Sequence, residues 1–100
     1  MVKVTEYPGN KKYAVDKGSI IDLDTDEIVD YIDQVEIAIE YPESMPGICR
    51  VESVTLSING GRSSFDDQDI VDNAEFHSDA KLIEALAERY GVSEDIIDIV

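Results

Sequence analysis

From residue 35 to residue 41 the larger apolar side chains fall on every second position. Val35, Ile37, Ile39 and Tyr41 alternate with Glu36, Ala38 and Glu40. A period of two predicts a strand with one buried face. After the loop Pro42–Gly47 the pattern resumes from about Ile48 to Ile58, with Val54, Leu56 and Ile58 on one face. Asn59-Gly60 is a strong two-residue hairpin signal and predicts a return through Arg62 to Phe65. At the start of the chain, the β-prone runs Val2–Tyr7 and Lys12–Val15 flank Pro8-Gly9-Asn10, which reads as another hairpin. Gly18-Ser19 then breaks the pattern ahead of Ile20-Ile21.

Two segments carry a helical period instead. Ser78 is placed to cap a helix whose apolar stripe is Leu82, Ile83, Leu86 and Tyr90, with Gly91 as its stop. Asp24-Thr25-Asp26-Glu27 has the form of a capping box, and Ile28, Ile32 and Val35 follow at helical spacing. That predicts an acidic helix over about 25–34, with Asp26, Asp30 and Asp33 facing outward. Residues 66–77 are weakly patterned and predict a loop with one helical turn at Ile70-Val71. Residues 93–100 fit either a short helix capped by Ser93 or a strand through Ile96, Ile97 and Ile99. Together these elements predict an α+β fold, a small single domain over residues 1–100. Its expected core is an antiparallel sheet of about four to five strands with two or three short helices.

Composition narrows the class. Thirteen isoleucines in 100 residues support a packed core without cross-links, and Cys49, the only cysteine, excludes an intramolecular disulfide. No apolar run approaches the roughly 20 residues of a membrane-spanning helix, and Met1–Glu6 does not resemble a signal peptide. A reducing, cytoplasmic setting is the expectation.

Charge changes the picture most. Twenty-three acids against eight bases give a net charge of −15, beyond the magnitude of roughly 2–8 that keeps a small domain soluble. From Lys17 to Arg50 the chain carries nine acids and no base, and from Arg62 to Lys81 six more and no base. Four of the five lysines fall in the first seventeen residues.

Candidate chemistry is sparse by comparison. Leu86–Ser93 followed by Ile96-Ile97 resembles a helix-turn-helix DNA-binding motif, which implies a recognition helix at the C-terminal end. That helix would present Glu94, Asp95 and Asp98 to phosphate, so direct nucleic-acid binding is not expected. Asp22, Asp24, Asp26, Asp30 and Asp33 occupy positions 1, 3, 5, 9 and 12 of a loop resembling an EF-hand, which implies weak calcium binding. Glu27 stands where that loop requires glycine, and Asp33 where it requires the longer glutamate. His77, Ser63 and Ser64 lack any nucleophile motif, and Cys49 has no histidine or second cysteine near it in sequence. No enzyme activity, cofactor or metal is expected.

The acidity therefore becomes the functional signal. A folded surface dense in carboxylates can occupy a cationic groove built for nucleic acid, with steered association as its advantage. The expectation is an acidic protein-binding inhibitor, a nucleic-acid mimic that blocks a cationic nuclease or defence effector, of phage anti-defence or immunity type. Its partner would be a basic protein surface, with a nucleic-acid-binding protein as the candidate class, and not a membrane. The candidate partner-binding residues are Asp24, Asp26, Glu27, Asp30 and Asp33 in one segment, and Asp66, Asp67, Asp69 and Asp72 in the other. The alternatives are a non-catalytic interaction module or subunit, the weak calcium site, and an acidic surface that serves solvation alone.

Overall fold

The computed structural model describes residues 2–71 and 74–100. Its strands are β1 (Val2–Tyr7), β2 (Lys12–Asp16), β3 (Ser19–Asp22), β4 (Ile28–Tyr31), β5 (Gln34–Glu40), β6 (Cys49–Ile58), β7 (Ser63–Asp66), β8 (Glu75–Phe76) and β9 (Ile97–Ile99). One α-helix, α1 (Asp79–Tyr90), lies between β8 and β9. The strands run in the order β4-β3-β2-β1-β7-β6-β5-β9, and β8 pairs with the first residues of β6. All neighbours are antiparallel except β5 and β9, which are parallel.

The expected α+β fold, with four to five antiparallel strands and two or three helices, is therefore corrected. The described residues form a curled, mixed sheet of nine strands with a single α-helix. The largest difference falls on residues 24–34, where β4 stands in place of the expected helix. Short polar side chains that cap helices also close turns, and here they do the second. Asp22 Oδ1 accepts from the Asp24 N–H at 2.8 Å, and Thr25 Oγ1 accepts from the Glu27 N–H at 3.3 Å. Ile28 and Val29 then favour the extended backbone that follows. The tail resolves as a 3-10 turn at Glu94–Ile96 leading into β9, so no recognition helix follows Gly91.

The elements with a strong period form as expected. Ser78 Oγ accepts from the Lys81 N–H, Leu82, Leu86 and Tyr90 are fully buried, and Gly91 ends α1 in the left-handed conformation. In β5, Val35 and Ile37 are fully buried. β6 changes the face it buries midway. Val54, Leu56 and Ile58 point inward, but so do Cys49 and Val51, because Glu52 is an extra residue between the pairs Ala38–Ser53 and Ile39–Val51. A bulge of this kind bends the strand and reverses its parity.

The curl brings distant strands together over the helix. Lys17 and Gly18 both have positive φ, 50° and 78°, the geometry of a two-residue turn matched to strand twist. The Gly18 N–H donates to the Tyr90 carbonyl at 2.8 Å, and the Gly18 carbonyl accepts from the Ile32 N–H at 2.8 Å. Asp33 then donates its N–H to the Ser57 carbonyl of β6 at 2.9 Å. The core inside includes Val4, Ile20, Val35, Ile37, Leu56 and Phe65 beneath α1. Among the described residues no helix is long and apolar enough to cross a membrane.

Candidate functional site

The first acidic segment forms the tip of the β3–β4 hairpin. Asp24, Asp26 and Glu27 are exposed there, with Asp26 at a positive φ of 61° that a short side chain tolerates. The tip's counter-ion is Lys11, whose Nζ lies 2.9 Å from Asp22 and 3.6 Å from Asp24. The hydrogen bond from Lys11 holds the Asp22 carboxyl below its usual range, and Asp22 in turn raises Lys11.

Two other candidates in this segment do local work. Asp30 Oδ1 accepts the N–H of its neighbour Tyr31 at 2.7 Å, and Asp33 Oδ2 accepts the Gly60 N–H at 2.7 Å. The EF-hand arrangement is not formed: the five aspartates spread over a hairpin. Among the described residues no three His, Cys, Asp or Glu side chains converge to hold a metal ion. β4 is an outer strand of the sheet and leaves Ile28, Val29 and Tyr31 exposed. Its short length, its register shift against β3 and the Asp30 carboxylate over the Tyr31 N–H all blunt that edge against pairing.

The second segment divides. Asp66 is half-buried in β7, paired with Thr5 and Thr55, and Asp69 is exposed. Asp72 lies outside the described residues. Leu23 from the hairpin tip and Gln68 and Asp69 from the second segment line one groove of about 370 Å³, together with Lys3 and Lys12. The sheet order explains this. β1 and β2 are first in the chain but lie between β3 and β7, so the early lysines stand between the two acidic segments and not at one end.

Asp67 leaves the surface set altogether, with an exposure of 0%. Its carboxylate accepts from Arg89 Nε at 2.8 Å, Arg89 Nη2 at 3.2 Å and the Tyr90 hydroxyl at 2.7 Å. The sequence held a signal for this. Asp67 has the parity of buried Phe65, so the alternation of β7 continued by one residue turns it inward. Burial first, then the Asp67 charge, pushes the Tyr90 hydroxyl far above the usual tyrosine range.

A pH dependence follows from that shift. An unfolded tyrosine loses its proton near pH 10, while folded Tyr90 keeps it. Above pH 10 the unfolded state therefore binds fewer protons, and this residue lowers stability by about 1.4 kcal/mol per pH unit. Urea unfolding between pH 9 and 11 checks this: Tyr90→Phe should flatten the decline seen in the parent chain. An unchanged slope would assign the decline to other groups.

Sequence reasoning missed one cavity. Pairing of Cys49 with Phe76 across β6 and β8 brings His77 and Asp79 to the loop that precedes Cys49. A cavity of about 230 Å³ opens there, lined by Tyr41, Pro42, Met45, Cys49, His77 and Asp79 among others. The Tyr41 hydroxyl donates to Asp79 Oδ1 at 2.8 Å, and the Cys49 thiol donates to the Phe76 carbonyl at 3.4 Å. Burial, and secondarily the Asp79 charge, raise the Cys49 thiol. That is the opposite of the shift an activated nucleophile needs.

The chain matches no family model, no curated protein and no solved structure. Its charge layout and these geometries are the basis for a functional reading.

Proposed function

We propose that this protein is an acidic, non-catalytic inhibitor that occupies a cationic groove of another protein in place of nucleic acid. A nuclease or a defence effector is the class of partner it would block, as phage anti-defence and immunity-type proteins do. The observation that carries the reading is the exposed hairpin tip, where Asp24, Asp26 and Glu27 project and Lys11 pairs with Asp22 and Asp24 at its base. Linear charge density supports it. A net charge of −15 along a body 44 Å in its longest dimension is one charge per about 3 Å. Duplex DNA carries one per about 1.7 Å of axis, or one per about 3.4 Å for each of its strands, so the average spacing on this chain is of the same order. Its asymmetric shape, 44 × 26 × 22 Å, suits an elongated groove. A cytoplasmic location belongs to the same proposal.

Charge reversal at the tip is the test. A variant carrying Asp24→Lys, Asp26→Asn and Glu27→Lys keeps short-side-chain tolerance at the positive-φ position and removes the tip's negative field. Partner capture from lysate at about 50 mM salt should fall at least tenfold, and what remains should depend less on salt. Equal capture by the variant would remove the hairpin tip from the interface.

A further inference from the structure

We propose that the cavity between the 42–48 loop and the start of α1 anchors one arginine side chain of the cationic partner. This deepens the reading above and rests on it for the source of the arginine. Pro42, Met45 and Cys49 give the cavity apolar walls, against which a long aliphatic stem can lie. Asp79 supplies a carboxylate in the same wall. One of its oxygens accepts from Tyr41, and among the described residues no lysine or arginine pairs with it.

A volume of about 230 Å³ holds roughly seven or eight waters at about 30 Å³ each, enough to admit the seven heavy atoms of an arginine side chain with water beside it. Arginine suits the polar end better than lysine. Its planar fork can engage a carboxylate through two hydrogen bonds and stack on the exposed Tyr41 ring. Glu40 and Glu43, both exposed, flank Tyr41 and Pro42 in the chain and extend the negative field beyond a single side chain. A partner strand bearing further basic residues meets that field, whereas a second copy of this chain brings another −15.

Nuclear magnetic resonance on the full chain at low salt tests the proposal. The probes are three acetylated, amidated tripeptides, Gly-Arg-Gly and its lysine and citrulline counterparts, citrulline being the neutral analogue of arginine. The arginine peptide should shift the amides of Tyr41, Ile48, His77 and Asp79. Citrulline should bind about tenfold more weakly, as loss of a charge-assisted contact implies. Asp79→Asn should weaken the arginine peptide by about the same factor. Asp79 also faces the helix N-terminus, so Tyr41→Phe serves as a second variant outside α1 and should weaken binding by a smaller factor. Equal binding of citrulline would overturn the proposal. Arginine and lysine peptides that shift only residues 24–27 would overturn the cavity while leaving the acidic-surface reading standing. No shift anywhere with either cationic peptide would count against both.

Discussion

Replacing Asp67 with alanine should cost about 2–4 kcal/mol of folding free energy, a large part of a margin of about 5–15 kcal/mol. The carboxylate is fully buried and accepts three hydrogen bonds, two from Arg89 and one from Tyr90. Removing it leaves the buried Tyr90 hydroxyl without its acceptor and the Arg89 guanidinium without its counter-ion. Arg89 retains 27% side-chain exposure and can turn toward water, which places the cost below the upper end for a fully buried pair. Asp67→Asn keeps an acceptor for Tyr90 but loses the charge, so its cost should lie between alanine and the parent. Glu88→Ala, exposed on the same helix, should stay within about 0.5 kcal/mol. Urea midpoints at constant m-value measure all three, and a cost under about 1 kcal/mol for Asp67→Ala would contradict the structural role assigned to it.

Gly91→Ala is the second large effect expected, about 2–4 kcal/mol. The φ of 68° alone costs alanine about 1–2 kcal/mol. The rest is steric. A Cβ on Gly91 would lie 2.9 Å from Lys17 Cα and 3.0 Å from the Gly18 nitrogen, both backbone atoms that cannot swing aside. Making room separates the end of α1 from the β2–β3 turn and strains the bond from Gly18 to the Tyr90 carbonyl. Gly60→Ala isolates the backbone contribution, since its φ is 66° and its Cβ would meet nothing within 4 Å. At about 4–8 °C per kcal/mol, the two variants should differ clearly in melting temperature. Equal losses would mean that the helix end does not dock closely on the turn.

Those two residues mark what the sequence makes legible. Gly91 could be placed because a capped, striped helix has to stop somewhere, and glycine tolerates the left-handed stop. The alternation of β5 and the place of the turn after Ile58 were legible for the same reason, a local rule, although that turn has four residues, 59–62, and not two. Asp67 was grouped with its neighbours because a run of acids looks uniformly solvated, whereas its partner lies 22 residues further on. Residues 24–34 carry a helix signal without forming one because Asp and Thr serve helix caps and tight turns equally well. The choice fell to pairing with β3, a strand of four residues too short to display its own period. Likewise, β6 hides its reversal of parity until the bulge at Glu52 is located. The Cys49–His77–Asp79 cavity was out of reach for a related reason, being assembled by strand pairing across more than twenty residues.

For the acidic surface, the layout on the chain and the layout in space differ in one instructive respect. The lysine-rich start of the chain becomes the middle of the sheet, so Leu23 of the hairpin tip and Asp69 of the second segment line a groove with Lys3 and Lys12. The hairpin tip thus becomes the stronger candidate of the two segments, with three exposed acids grouped in four consecutive residues.

Competition by nucleic acid tests the central claim most directly. The immobilised protein is loaded with its partner from lysate at about 50 mM salt, and single-stranded and duplex oligonucleotides are then added in excess. If the acidic surface occupies a nucleic-acid groove, the oligonucleotides should displace the captured protein, and about 500 mM salt alone should release it. A partner that stays bound through both treatments would contradict the account.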